Sequence, residues 1–61
     1  MNKLSYSFEE AAAATGYSER TIRRAVADNR LVARYANSKP VITADDLRAW
    51  LQSLPTERDA A

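Results

Sequence analysis

A chain of 61 residues holds one small domain, and with no cysteine and no histidine it offers no disulfide, no thiolate or imidazole metal site and no histidine base. Its composition, 46% apolar and 28% charged with one glycine and two prolines, is that of a folded soluble protein as far as Pro55. The formal charge of +1 conceals an asymmetry: Ser18 to Lys39 carries six basic residues against Glu19 and Asp28, a net of +4, and the remainder sums to −3.

No apolar run approaches the ~18 residues of a membrane span, and the stretch MNKLSYSFEE lacks the apolar core of a signal peptide, so the expected location is the cytoplasm, away from any membrane. No enzymatic activity, metal or cofactor is expected. A focused basic segment favours a polyanion on one face.

Ser7 followed by Phe8-Glu9-Glu10 has the spacing of a capping box, in which the Ser7 hydroxyl accepts from the Glu10 N–H and the Glu10 carboxylate reaches back. The first helix is predicted over Phe8 to Ala14. Its apolar face is Phe8, Ala11 and Ala12, with Leu4 or Tyr6 just before the cap. Gly16 ends it, because the residue past a helix often requires positive φ.

Ser18 caps the second helix, and Glu19 stands where negative charge complements the helix dipole. Ile22, Ala25 and Val26 share one side and should pack on the first helix, which leaves Arg20, Thr21, Arg23 and Arg24 facing outward. Asp28-Asn29 is the predicted stop, since Asn tolerates the left-handed conformation.

Leu31 to Tyr35 and Pro40 to Ile42 have strand character, and Ala36 to Lys39 between them reads as a hairpin turn. Pro40 has no N–H to donate, so its strand is expected at an edge or only briefly paired. Thr43-Ala44-Asp45-Asp46 caps a third helix whose stripe of Leu47, Trp50, Leu51 and Leu54 should close the core. Pro55 stops it. The expected organisation is a domain over 1–55 and a flexible tail over 56–61.

Part of the arginine charge has an ordinary explanation. Glu19 and Arg23 are four apart in the favourable order, and Arg24 with Asp28 is the less favourable arrangement. Arg20 has no acidic neighbour at helical spacing and lies three and four residues from Arg23 and Arg24, where like charges weaken a helix by roughly 0.2–0.5 kcal/mol a pair. A face that repels itself points to an external anion.

Two short helices around a glycine-containing turn, the basic one second, form a helix-turn-helix, whose second helix enters the DNA major groove. There Arg bonds bidentately to guanine and Thr touches a base edge or a thymine methyl, making Arg20, Thr21, Arg23 and Arg24 candidate groove contacts. Ser18 and Glu19, at the helix N-terminus, are candidates for the DNA backbone. In the hairpin, Arg34 and Lys39 flank the tip Asn37-Ser38, as a wing placed to lie over the neighbouring backbone or minor groove. The pairs Glu9-Glu10 and Asp45-Asp46 are explained by capping and the dipole, and Trp50 belongs to the third helix's core stripe rather than to a platform for single strands.

With these elements in place, SFEEAAAATGYSERTIRRAV, ADNRLVARYANSKPVIT and ADDLRAWL resemble the small excisionase-type winged-helix proteins, or recombination directionality factors, related to the DNA-binding domain of MerR-like regulators. Within them the mycobacteriophage-type excisionases are most similar. The resemblance runs from about Leu4 to Leu54 and rests on the spacing from Gly16-Tyr17-Ser18 to Leu47…Trp50-Leu51. It implies a mainly α fold, three helices with a small two-stranded β-hairpin, that binds adjacent sites in duplex DNA of a phage attachment region. It further implies DNA bending, contact between copies along the DNA, and help to the phage integrase in excising rather than integrating.

Three departures stand out. Ala14-Thr15 replaces two large aliphatics, with Tyr17 as the candidate to supply the missing volume. Asn37-Ser38 replaces a glycine pair, which strains Ser38 if both residues need positive φ, and Asn29 occupies a common glycine position. Two further functions stay open: a small phage or plasmid transcriptional regulator of MerR-like type, and a protein–protein adaptor using the basic face. MerR-type regulators carry a long dimerising helix after the winged domain, whereas this sequence stops soon after Leu54, which favours the excisionase reading.

Overall fold

The Ser7 capping box forms as its spacing predicts. The Glu10 N–H donates to Ser7 Oγ at 3.0 Å, and the Ser7 N–H donates to Glu10 Oε1 at 2.9 Å. This cap starts α1 (Phe8–Thr15) in the computed structural model, which describes residues 3–58. Thr15 extends the helix one residue beyond expectation because its hydroxyl donates back to the Ala11 carbonyl at 2.8 Å. Gly16 then turns the chain at φ 83°, its N–H donating to the Ala12 carbonyl at 2.9 Å.

Ser18 caps α2 (Glu19–Ala27) by accepting from the Thr21 N–H. The helix ends in a Schellman arrangement: Asn29 sits at φ 61°, its N–H donates to Val26, and the N–H of Arg30 donates to Ala25. Asn29 thus fills the left-handed position for which the sequence offers no glycine, and the motif delivers Leu31 into the core. Pairing begins only at β2 (Arg34–Tyr35), short of the expected Leu31 start, because Leu31 is committed to burial under the helices.

β3 (Pro40–Thr43) runs antiparallel to β2, with Tyr35 opposite Pro40 and Arg34 opposite Val41. The four residues Ala36 to Lys39 link them without any positive φ, so Ser38 carries none of the strain a two-residue tip would impose. A strand not anticipated from the sequence, β1 (Ser5–Tyr6), pairs with the other side of β3, Ser5 opposite Thr43 and Tyr6 opposite Ile42. The sheet order is therefore β1-β3-β2, so the Pro40 strand is central and not an edge, although its pairing is as brief as the other expectation had it, two residues to each neighbour. Pro40 is tolerated because it is the first residue of β3 and lies opposite Tyr35 alone, β1 pairing only further along at Ile42 and Thr43.

Thr43 ends β3 and caps α3 (Ala44–Ser53), accepting from the Asp46 N–H at 3.1 Å. Three helices and a small antiparallel sheet make a mainly α winged helix-turn-helix. Its core is Ala11, Ile22, Ala25, Leu31, Ile42, Leu47 and Trp50, with Tyr6, Phe8, Val26 and Leu54 packed around it. Tyr6, not the 85% exposed Leu4, is the apolar residue before the cap that joins it. Leu51 departs from the predicted stripe, remaining 38% exposed at the edge of a surface depression that Ala14 and Thr15 also border. Of the expected tail over 56–61, residues 59–61 lie outside the described residues.

Candidate nucleic-acid interface

Burial of Ile22 and Ala25 fixes the rotation of α2 and leaves Arg20, Thr21, Arg23 and Arg24 exposed on the side away from the core. The Ser18 hydroxyl, besides capping, lies 2.9 Å from Thr21 Oγ1, which ties the threonine to the start of the helix. The arginines differ in their surroundings. Arg23 donates from Nε to Glu19 Oε2 at 3.0 Å, and its guanidinium stands 5.1 Å from the centre of the Phe8 ring. Glu19 therefore spends its carboxylate on Arg23. Arg20 and Arg24 have no ion-pair partner among the described residues, and Arg24 does not close on Asp28. Asp28 is instead the C-cap of α2.

The wing places Asn37, Ser38 and Lys39 in solvent. Lys39 borders the same surface depression as Glu9, Glu19 and Arg23, which sets the wing beside the first turn of α2. Arg34, expected in the wing, is exposed but also engaged within the fold. Its Nε donates to Asp46 Oδ2 at 2.9 Å, latching β2 to the first turn of α3. The hydrogen bond from Arg34, seconded by the Thr43 hydroxyl, holds the Asp46 carboxyl below its ordinary range, and the Asp46 carboxylate in turn raises Arg34. No local spacing signals this pair. It arises because β2 lies against β3 and α3 starts where β3 stops.

Tyr17 does not fill the core in place of the missing aliphatics. It is 44% exposed, with its ring edge-to-face on Trp50 at 5.6 Å between centroids. With Arg30, it borders a groove on the α3 side of α2 that the sequence pattern did not single out. The only signal was the charge of Arg30 within the basic segment.

A family model described as a helix-turn-helix domain matches residues 5–55, spanning every helix and strand. The chain belongs to this helix-turn-helix family. The family includes excisionase-like DNA-binding proteins and is typically non-enzymatic, and its domain suggests sequence-specific DNA binding. No curated protein and no solved structure matches the chain. Among the described residues, no helix is long and apolar enough to cross a membrane.

Proposed function

We propose that this helix-turn-helix chain is an excisionase, a non-enzymatic architectural protein that binds and bends duplex DNA in a phage attachment region and directs the phage integrase towards excision. One observation carries the DNA-binding part: exposed arginines, two of them without acid partners among the described residues, stand on the second helix of a helix-turn-helix with a basic wing alongside. The excisionase part rests on the resemblance of the sequence and on a family that includes such proteins.

In this reading Arg20, Thr21, Arg23 and Arg24 meet base edges in the major groove, and Ser18 and the Glu19 N–H take a backbone phosphate. Arg34, Asn37, Ser38 and Lys39 lie over the adjacent backbone or minor groove. One domain of this size spans few base pairs, so copies side by side along the DNA would supply specificity. The site of action is the cytoplasm of a bacterial host.

Mobility-shift titrations with duplexes recovered from a random-sequence pool, at two salt concentrations, test the DNA-binding step. The expected result is a discrete preferred sequence and a steep loss of affinity with salt. Binding to an acidic protein with no duplex affinity would contradict it. For the finer role, adding the chain to a phage integrase and its attachment-site DNA should raise excision. Binding to that DNA with no effect on excision would replace the excisionase reading with that of a small transcriptional regulator.

A further inference from the structure

The groove between α2 and α3 has a volume of about 420 Å³, and its walls combine two kinds of chemistry. Ala25, Trp50 and Leu54 make an apolar floor, while Arg24, Arg30 and the Tyr17 ring stand at its rim. Arg30 has no ion-pair partner among the described residues. Its backbone is fixed by the Schellman hydrogen bond to Ala25 and by the left-handed Asn29 before it. Tyr17 is held by its edge-to-face packing on Trp50 while the residue stays partly exposed, so its ring lines the groove from a supported position.

The opposite flank of α2 has Lys39 and Arg23 beside two carboxylates, Glu9 and Glu19. Among the described residues lining the groove on the α3 flank the one carboxylate is Asp28, and it is engaged with neither arginine. A helix seated in the major groove lies between two sugar–phosphate strands, one on each flank. An apolar floor with cations and a hydroxyl at the rim matches a deoxyribose with its phosphates, and the groove is continuous with the outer face of α2 through Arg24.

We infer that this groove is a second duplex contact, in which Tyr17 and Arg30 hold the sugar–phosphate strand on the side of α2 away from the wing. The inference rests on the proposed docking of α2 in the major groove. Tyr17 and Arg30 position the protein and read no base, so their loss weakens binding to all sequences alike.

The test is a salt titration of wild type, Arg30→Gln and Tyr17→Phe on the duplex recovered by wild type and on random-sequence duplex. Circular dichroism melts serve as a control, both substitutions being at exposed side chains. Arg30→Gln should reduce the slope of log affinity against log salt by about 1 on both duplexes without altering base preference. Tyr17→Phe keeps the ring on Trp50 and should weaken binding about two- to tenfold through loss of the hydroxyl. A wild type that binds with steep salt dependence, alongside variants with unchanged slope and affinity, overturns the groove contact and leaves the major-groove reading standing. A wild type that binds no duplex overturns both.

Discussion

Arg20 and Arg23 stand on the same helix, one turn apart, yet Arg20 is exposed with no ion-pair partner among the described residues and Arg23 is held by Glu19 and the Phe8 ring. The wing repeats the second situation, with Arg34 held by Asp46. The contrast separates two ways of presenting a cation to DNA. An arginine with no acid partner can replace its water with a guanine edge directly, and until it does so it destabilises its helix through like-charge neighbours. An arginine already paired with a carboxylate is oriented in advance, but a phosphate must compete with that carboxylate. Base reading is accordingly expected from Arg20 and Arg24, and a conditional contribution from Arg23 and Arg34.

Removing the unpaired side should have the largest effect. Arg20→Ala is expected to weaken specific binding by ~1–3 kcal/mol and to relax preference at one base position, as measured by competition among single-base variants of the selected duplex. The contrast also depends on the angle at which α2 leaves the turn. A Cβ at Gly16 would meet no atom within 4 Å, so Gly16→Ala tests the φ of 83° alone and should lower stability by about 1–2 kcal/mol in urea unfolding.

The paired side is tested by releasing it. Glu19→Gln frees Arg23 and removes an anion from the interface, so affinity for all sequences should rise and the salt slope should steepen by about 1. A loss of affinity would mean that Glu19 orients Arg23 productively, and the distinction between the two arginines would collapse.

The smallest effect concerns stability against pH. Asp46 is lowered by Arg34, and Glu10 is lowered by the Ser7 N–H and then by Lys3. A carboxyl lowered on folding adds stability above its unfolded pKa and loses it as pH falls through the folded value. Asp46→Asn and Glu10→Gln should therefore melt slightly lower than wild type at neutral pH, and the gap should close on acidification. Both carboxylates sit at the surface, so a small gap is expected.

How far the sequence could be read follows the range of the interactions. Caps at Ser7, Ser18 and Thr43 and the left-handed positions at Gly16 and Asn29 are set by neighbours within a few residues, and each stands where its local pattern puts it. The Glu19–Arg23 pair was legible for the same reason. The strand β1, two residues long, has no pattern of its own and exists only because β3 offers Ile42 and Thr43 an open side. That pairing made the Pro40 strand central. The Arg34–Asp46 latch and the Tyr17–Trp50 packing join residues 12 and 33 positions apart, and no periodicity encodes them. Which arginines lie outward was thus readable from Ile22 and Ala25, whereas which of them are free required the tertiary structure.

A duplex titration followed through backbone amide shifts tests the orientation of α2 most directly. Shifts on adding the selected duplex should concentrate from Ser18 to Arg24 and at Asn37 to Lys39, with Leu4, Asp45 and Arg48, which border a separate depression, unmoved. Shifts centred on Leu4, Asp45 and Arg48, with the outer face of α2 unperturbed, would contradict that orientation.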